Sequence, residues 1–202
     1  MQNIIATDII PGESRRPFFV PLIPLIRIEP TDFWNLGHKL FNTTPETFPV
    51  PFLAGDAFSP EFLKAVEPFY TTPTTPRPVI SELTSLNPLC GHVSALSVCA
   101  IFHLFSTEEA QFQLAQNIAG LLSPETGSMI LGYHVGRGEA GVRVERSPGG
   151  TEYRLFCHSP ESWAELWDGK LFRKGTVRVD ARLGDEMTDK KYQMLQWSVT
   201  RL

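Results

Sequence analysis

Short apolar runs alternate with helix-forming segments along this chain, and this alternation constrains its fold more than any other feature. The apolar runs are rich in aliphatic and aromatic residues and end at turn-forming or acidic residues, which is typical of buried strands. Strands separated by helices normally pair in parallel, so the pattern predicts an α/β protein. The predicted strands are residues 3–10, 50–55, 92–102 and 128–135, with a helix as the main alternative for 92–102.

Helix-capping residues mark the segments between these strands. Thr31 or Asp32 can cap a helix that continues to Phe41. Ser59, followed by Pro60 at the first helical position, is expected to open a second, short helix. The apolar stripe of the first helix is predicted to contain Phe33, Leu36, Leu40 and Phe41.

Two further helices are predicted in the second half of the chain. Ser106 and Glu109 have the spacing of a capping box, and Pro124 marks the latest end of the helix that they begin. Ser159 is expected to cap another helix that contains Trp163. The apolar face of the helix after Ser106 is predicted to contain Phe112, Ala115, Ile118 and Leu122.

The carboxyl-terminal residues show strict alternation of apolar and polar side chains. Residues 177–183 and 192–201 both alternate, and a polar segment at 184–191 joins them, which predicts an antiparallel hairpin. Leu195, Trp197 and Val199 are expected on one face of it. The glycine-rich stretch 136–150 is predicted as a loop. The predicted sheet is therefore mostly parallel, with an antiparallel hairpin at its carboxyl-terminal end.

Residues 1–202 are predicted to form a single domain with one irregular insertion. The insertion, residues 13–30, contains four prolines, which exclude a long helix and a central strand. Its apolar content is too high for a solvated linker. We therefore interpret 13–30 as a Pro-rich insertion within the domain.

Charge and cysteine content exclude several classes of function. The net charge of −4 provides no broad positive field, so neither nucleic acid nor an anionic membrane is expected as a partner. The three cysteines lack C-x-x-C spacing, which argues against a disulfide framework or a zinc site. No apolar run reaches about 18 residues, and the first residues lack the basic region of a secretory signal. The chain is therefore expected in the cytoplasm.

Two aspartates lie near the carboxyl ends of predicted strands, at positions where α/β sheets bind ligands. Asp8 lies at the end of the first run and Asp56 follows the second, and ligands bind beyond the carboxyl ends of parallel strands. Asp8 could accept hydrogen bonds from both hydroxyls of a cofactor ribose, and Asp56 could accept one from an adenine amino group. The alternative for each aspartate is a helix cap or a turn-forming role.

His103 is the candidate catalytic residue. It lies just beyond the carboxyl end of the predicted strand 92–102, where it could act as a general base or bind substrate. The alternative is a histidine that is hydrogen-bonded at a turn. Trp163, Trp167 and Phe172 could line an apolar substrate pocket or pack in the core. No two histidines have helical metal-ligand spacing, so no metal is expected.

Several motifs together resemble one enzyme family. Residues 86–105 (LNPLCGHVSALSVCAIFHLF) are similar to the fourth-strand region of fungal class I S-adenosylmethionine-dependent methyltransferases that modify polyketide and meroterpenoid intermediates. The likeness continues through 121–130 (LLSPETGSMI) and 156–163 (FCHSPESW). It also includes 6–9 (ATDI) and the helix at 34–41, so it covers most of the chain outside the insertion.

The resemblance implies a Rossmann-like class I methyltransferase sheet with S-adenosyl-L-methionine as the cofactor. Members of this group often methylate a carboxylate or hydroxyl of a small hydrophobic metabolite. The cofactor-binding residues that it implies are Asp8 and Ile9 at the ribose, Asp56 and Ala57 at the adenine, and Leu86 and Asn87 near the reactive methyl group.

One feature of that family has no counterpart in the sequence. Such enzymes have a first strand that ends in an acidic, glycine-rich turn, where the backbone approaches the methionine portion of the cofactor. Met1 lies only seven residues before Asp8, which leaves no room for this strand, its loop and its helix. The residues 136–138 are no substitute, because they follow the fourth predicted strand. The sheet is therefore expected to lack its first strand.

Three functions remain open at this point. The first is an S-adenosylmethionine-dependent O-methyltransferase acting on a small polyketide- or meroterpenoid-type secondary metabolite, with a carboxyl group as the preferred acceptor. A homodimer is one of the assemblies that the sequence leaves open. The second is a truncated, non-catalytic methyltransferase-like protein. The third is a methyltransferase fold reused for cyclisation or isomerisation.

Overall fold

The computed structural model describes residues 6–9, 30–146, 149–184 and 193–202. These residues divide into two compact units: the described part of Met1–Lys64 with Arg77–Pro88, and Ala65–Pro76 with Leu89–Leu202. The single domain 1–202 stays a prediction. Most of the Pro-rich insertion, up to residue 29, and the hairpin connection at 185–192 lie outside the described residues.

The first unit contains a parallel strand pair and one helix: β1 (Ala6–Ile9), α1 (Pro30–Leu40) and β2 (Phe52–Gly55). Ala6 lies opposite Phe52 and Ile9 lies opposite Gly55, with both strands running in the same direction. The parallel pairing predicted from the alternating pattern is confirmed. Pro30, the last residue of the predicted insertion, begins α1, where proline needs no hydrogen-bond partner for its nitrogen.

Helix α1 packs through Trp34 rather than through the predicted apolar stripe. The Trp34 ring stacks on Phe52 of β2 with ring centroids 5.0 Å apart and an interplanar angle of 8°. One turn later, His38 meets Trp34 edge-on at 5.3 Å, and its Nδ1 shares a 2.8 Å hydrogen bond with the hydroxyl of Thr43. Aromatic stacking on β2 therefore orients the helix.

The predicted stripe of α1 is wrong, because all of its members are exposed. Trp34 and His38 lie four residues apart and share one helical face, whereas Phe33, Leu36 and Leu40 lie on a different one. Phe41 lies beyond the end of α1. The Trp34 indole, which is larger than the phenyl rings of Phe33 and Phe41, is the ring that packs on β2. The exposed fractions are 55% for Phe33, 59% for Leu36, 75% for Leu40 and 74% for Phe41.

The short helix predicted after Ser59 is also wrong, because the chain makes only a single turn there. The amides of Phe62 and Leu63 donate to the Ser59 carbonyl at 3.0 and 2.8 Å. The Ser59 hydroxyl donates to Glu61 Oε2 at 2.5 Å, so it does not cap a helix. This hydrogen bond lowers the pKa of the exposed Glu61 carboxyl.

The second unit is built on a four-stranded sheet. The elements of this unit are β3 (Ala95–Cys99), α2 (Glu108–Ala119), β4 (Met129–Gly136), β5 (Gly141–Arg146), β6 (Glu152–Cys157), α3 (Pro160–Trp167), β7 (Val177–Leu183) and β8 (Gln193–Arg201). The strand order in the sheet is β3–β4–β8–β7. Strands β3 and β4 are parallel, whereas β4–β8 and β8–β7 are antiparallel, so the predicted carboxyl-terminal hairpin is confirmed.

The cap of α2 differs from the prediction by one residue. Thr107, not Ser106, is the N-cap, and its hydroxyl accepts from the Ala110 amide at 3.2 Å. The buried Gln111 side chain fixes this register, because its Nε2 donates to the Phe105 and Phe156 carbonyls at 2.9 and 2.7 Å. The cap of α3 is as predicted: Ser159 accepts from the Ser162 amide, and a capping box is complete.

The loop predicted for residues 136–150 is wrong, because β5 and β6 form an antiparallel hairpin in this region. Val142 and Val144 alternate with charged residues on β5, but these valines are 43% and 54% exposed. The alternation of these valines with charged residues is itself a strand pattern, and glycine content alone did not indicate it.

Aromatic rings form the core between α3 and the sheet. The Trp163 ring lies 4.8 Å from Phe102 and 4.9 Å from Trp197, and Trp167 lies 5.7 Å away. Trp163 and Trp167 are 0% exposed, and Phe172 is 1% exposed. Of the two roles considered for Trp163, Trp167 and Phe172, the structure places all three in the core.

Strand β8 ends in a buried arginine. Arg201 is 3% exposed, and its guanidinium carbon lies 4.4 Å from the centre of the Phe172 ring and 5.1 Å from that of Tyr70. Its Nη2 donates to the Phe69 carbonyl. Burial lowers the pKa of the guanidinium, and the aromatic faces stabilise the charge through cation–π contacts.

Within the described part of the chain, no helix has the length and apolar character that crossing a bilayer requires.

Replacing Trp34 by alanine should destabilise the first unit by about 2–3 kcal/mol, because the ring stacked on Phe52 is lost. Replacing Leu40 by alanine removes an exposed side chain and should change the unfolding free energy by less than about 0.5 kcal/mol. Hydrogen exchange of the β2 amides at increasing urea concentration measures both effects. A larger loss for Leu40→Ala would mean that the packed face of α1 is assigned wrongly.

Candidate functional site

The two candidate aspartates lie at the same end of the β1–β2 pair. Asp8 is opposite Ala54 in the parallel register, Ile9 is opposite Gly55, and Asp56 follows directly. The carboxyl ends of parallel strands meet at one edge of a sheet, which is where α/β folds bind ligands. The structure therefore brings these positions together, whereas cofactor binding by them stays a prediction.

Asp56 has a turn-forming role in the structure. Its Oδ1 accepts from the Phe58 amide at 2.9 Å, and its carbonyl accepts from the Ser59 amide at 2.9 Å. This is the alternative role considered for Asp56 from the sequence. A carboxylate has about four lone-pair sites, so a turn role and a ligand contact through the same group are compatible.

The backbone around Asp56 is tightly packed. A side chain at Gly55 would place a Cβ 2.1 Å from the Phe62 ring, so only glycine fits without a shift of that ring. Ala57 is 1% exposed, so its methyl group belongs to the packing of the first unit. Phe62 and Ala57 therefore close the packing around the Asp56 turn, and adenine binding at Ala57 stays a prediction.

Leu86 and Asn87 join the same unit through hydrogen bonds. The Leu86 amide donates to the Phe62 carbonyl at 2.9 Å. Asn87 Oδ1 accepts from the Lys64 amide at 2.8 Å, and its Nδ2 donates to the carbonyls of Pro60 and Glu61 at 2.9 and 3.0 Å. The Asn87 side chain therefore anchors the turn that follows Asp56, a role that the sequence did not reveal.

The candidate base His103 lies in the second unit, in a 3₁₀ turn (Phe102–Leu104) after β3. Burial lowers the pKa of His103, so the ring is neutral near pH 7. Its Nδ1 is buried, and among the described residues it has no hydrogen-bond partner. A neutral imidazole with an unused nitrogen has the chemistry of a proton acceptor.

Ala100, between β3 and this turn, adopts a left-handed conformation with φ of +56°. Its amide donates to the Tyr133 carbonyl at 2.7 Å, which holds the residue in place. A left-handed alanine is strained, and such residues cluster at functional sites. Nothing in the sequence marks Ala100, because alanine has no preference for this conformation.

Two further histidines are buried in the aromatic core. The Trp197 indole donates to His134 Nδ1 at 3.0 Å, and His158 Nδ1 shares a 2.9 Å hydrogen bond with Ser162 Oγ. Burial lowers the pKa of His134 to about 3, with smaller contributions from His158 and His103. Burial, helped by the charge of Lys170, lowers the pKa of His158 to about 4. Both rings are neutral and structural at pH 7.

No three His, Cys, Asp or Glu side chains in the described ranges lie close enough together to hold a metal ion.

Comparison with known proteins supports a methyltransferase fold. The chain is 29% identical over 163 residues to O-methyltransferase phiE of Fungal sp. (strain ATCC 74256), a match that covers 79% of this chain and 44% of that protein. A crystal structure of a SAM-dependent methyltransferase from Methanosarcina mazei superimposes with a TM-score of 0.51 and 11% identity. The superposition covers 87% of this chain and 80% of the archaeal one. No protein-family model matches.

The chain therefore has the Rossmann-like α/β fold of SAM-dependent methyltransferases, as predicted. Its sequence is related to that of a fungal O-methyltransferase, and it spans less than half the length of this relative.

Acidification should destabilise the second unit through His134 and His158. Their pKa values in the folded state are about 3 and 4. Between pH 6.5 and pH 4, these two histidines therefore bind protons mainly in the unfolded state. The contribution of the two neutral histidines to the free energy of unfolding is thus fully present above about pH 6.5. It falls by roughly 1 kcal/mol per histidine by pH 5.5. Urea unfolding at pH 7.5 and 5.5 measures the loss.

The variant His134→Asn is the control, because its Oδ1 can still accept from the Trp197 indole but does not titrate. It should show about half the pH dependence of the unmodified chain, whatever its absolute stability. An unchanged pH dependence would show that His134 is not buried in the neutral form.

Proposed function

We propose that this chain carries the nucleoside-binding part of an S-adenosylmethionine-dependent O-methyltransferase that acts in the cytoplasm on a small hydrophobic secondary metabolite. A polyketide- or meroterpenoid-type carboxylic acid is the preferred acceptor. The observation that carries the proposal is the parallel register of β1 and β2, which puts Asp8 and Asp56 at one end of neighbouring strands. The relation to O-methyltransferase phiE supports the same reaction class.

The residues at this end of the first unit fit the nucleoside half of the cofactor. A carboxylate at Asp8 suits the two ribose hydroxyls, and one at Asp56 suits the adenine amino group, since both contacts are charge-assisted hydrogen bonds. Beside Asp56, the Phe62 ring fills the space next to Gly55, and Ala57 is buried. The Asn87 side chain holds the turn after Asp56 in place through hydrogen bonds to its backbone.

The methionine half of the cofactor needs further residues. We infer that a glycine-rich turn which binds it belongs to sequence beyond this segment, because more than half of phiE lies outside the matched region. The proposal therefore applies to the larger protein of which this segment would be a part.

Transfer to a carboxylate demands little from the protein beyond placement. S-adenosylmethionine supplies a methyl group bonded to a positively charged sulfur. An ionised carboxylate would accept this methyl group without losing a proton, so no residue of the chain would need to act as a base. Holding the two reactants in line at short distance can supply most of the acceleration.

A non-catalytic role is the second candidate, and two observations favour it. Asp56 Oδ1 is occupied by the Phe58 amide, and the Asn87 side chain is engaged by three backbone groups. In that case Asp56 and Asn87 would serve only the fold and would bind no ligand. Reuse of the fold for cyclisation or isomerisation has no specific observation in its favour.

Titration calorimetry with S-adenosylmethionine tests the nucleoside site. Asp8→Ala should weaken the affinity by about 10- to 100-fold, the equivalent of one charged hydrogen bond of roughly 1.5–3 kcal/mol. Asp56→Asn should act in the same direction, because the amide can still accept from Phe58 but loses the charge. Glu165→Gln, an exposed change on α3, is the matched control and should leave the affinity unchanged.

Adenosine, titrated in parallel, isolates the nucleoside half. Binding of adenosine that depends on Asp8 and Asp56 supports the proposal even if the methionine half is bound weakly. Equal affinities for the two aspartate variants and the control would remove both assignments, and a chain that binds neither ligand supports the non-catalytic role.

The choice of acceptor can be tested through His103. For a carboxylate acceptor no base is needed, so His103→Ala should change kcat by less than about threefold. For a hydroxyl acceptor, loss of the base should lower kcat by about 10²- to 10⁴-fold. Turnover of carboxylic acid and phenol substrates by the larger protein measures this, and a large loss with carboxylic acids would contradict the preferred acceptor.

A further inference from the structure

The β5–β6 hairpin has one face packed on the core and one face in solvent. Leu155 and Cys157 of β6 are buried and pack with Val135 of β4, so they define the inner face. Side chains alternate between the faces along each strand, and residues opposite each other in the ladder share a face. We call the solvent side the outer face. Its residues are Val142, Val144, Arg146, Glu152, Arg154 and Phe156.

The hairpin buries charged side chains and exposes apolar ones. On the inner face Arg143 pairs with Glu145, and their side chains are only 23% and 15% exposed. Val142 and Val144 on the outer face are 43% and 54% exposed. A shift of β5 by one residue would bury the valines and return the charges to water, which would avoid the cost of desolvating the ion pair. A local conflict of this kind is typical of a functional surface.

The hairpin begins at the end of the sheet where α/β folds bind ligands. Strand β4 ends at Gly136, and the next amide, that of Arg137, donates to the His158 carbonyl at 3.0 Å and closes the base of the hairpin. Strand β3 runs parallel to β4 and ends at the same edge, where the turn with His103 follows. Ligands bind beyond the carboxyl ends of parallel strands. The hairpin and the candidate base therefore share the ligand-binding edge of this sheet.

The buried Gln111 side chain ties the hairpin to the His103 turn. Its Nε2 donates to the Phe105 carbonyl, just after the turn, and to the Phe156 carbonyl of β6. Strand β6 also packs against the turn itself. The Phe156 ring meets the His158 ring edge-on, with centroids 5.0 Å apart. The apolar outer face is therefore held next to the turn that contains the candidate base.

Arg154 gives the outer face a positive charge. It lies opposite Val144 and is exposed. The ion pairs within the hairpin are Arg143–Glu145 and Arg146–Glu152. Among the residues that the structure describes, no carboxylate forms an ion pair with Arg154. A guanidinium binds a carboxylate through two parallel hydrogen bonds. An apolar surface that also presents a guanidinium is complementary to a hydrophobic carboxylic acid.

We propose that the outer face binds the acceptor of the reaction, a small hydrophobic carboxylic acid. Val142, Val144 and Phe156 pack against its hydrocarbon body, and the Arg154 guanidinium binds its carboxylate. The role as acceptor rests on the proposed function, whereas the chemistry of the ligand follows from the outer face itself. A methyl ester has no negative charge for Arg154 to bind, so the product is held by apolar contacts alone and dissociates more readily.

Naphthoic acid and its methyl ester are the probes, because they share an apolar ring system and differ in charge near pH 7. Each is titrated into the chain, and the shifts of the amide NMR signals report both the affinity and the residues contacted. We expect the acid to bind about three- to tenfold more tightly than the ester. The shifts should be confined to the outer face and the turn that contains His103.

Two variants separate the charge from the apolar surface. Arg154→Gln should abolish the preference for the acid and leave the affinity for the ester within about twofold. The double variant Val142→Thr with Val144→Thr keeps the β-branched shape but loses apolar surface, so both probes should bind about three- to tenfold more weakly. Arg178→Gln, an exposed arginine that pairs with Asp180 on β7, is the matched control and should change either affinity by less than about twofold.

The thermal midpoint establishes that each variant is folded, and substitutions at exposed positions should change it little. Equal affinities of the unmodified chain for acid and ester would overturn the proposal, as would shifts that lie away from the outer face. A dimer of the chain that the double threonine variant dissociates would also overturn it, because the outer face would then belong to a second copy.

S-adenosylmethionine, titrated into the same samples, tests the proposed function separately. Binding of naphthoate through Arg154 without any binding of the cofactor would keep the carboxylate site and overturn the methyl transfer. Cofactor binding that depends on Asp8, without binding of naphthoate, would overturn the carboxylate site and leave the proposed function in place.

Discussion

Packing of the aromatic core against one face of the four-stranded sheet is the interaction on which the second unit depends. The Trp163 ring contacts Phe102 and Trp197 at once, and the Trp197 indole is held by the neutral His134 ring. Side chains alternate between the two faces of the sheet along β4 and β8. Burial of the rings on one face therefore fixes the face on which each residue of both strands lies. The same packing fixes the end of β3 and, with it, the positions of Ala100 and His103, which follow this strand.

The parts of this fold that repeat a pattern over many residues could be predicted from the sequence. Alternation placed Leu195, Trp197 and Val199 on one face of β8, and the same period, continued by one step, reaches the buried Arg201. Ser159 was recognised as a cap because a serine before a proline and an acidic residue satisfies local geometry without help from distant residues. Asp8 and Asp56, near the ends of two apolar runs, indicated the carboxyl end of the β1–β2 pair.

The features that could not be predicted depend on contacts between distant residues. The packed face of α1 is set by Phe52, which lies outside the helix, and stacking on that ring outweighs the larger number of apolar residues in the predicted stripe. The cap of α2 moved by one residue because Gln111 bonds to Phe105 and Phe156. Likewise, the partners of Asn87 lie 23 to 27 residues away, so its anchoring role left no local signal. From the sequence alone, a residue that makes such a long-range structural contact cannot be distinguished from one that binds a ligand.

The hydrogen bond from the Trp197 indole also decides the tautomer of His134. An indole N–H can only donate, so Nδ1 of the neutral His134 ring accepts, and the single ring proton is on Nε2. That N–H is buried, and no described residue accepts from it. The aromatic core therefore contains an unsatisfied donor at its centre, a cost that a purely apolar core would avoid.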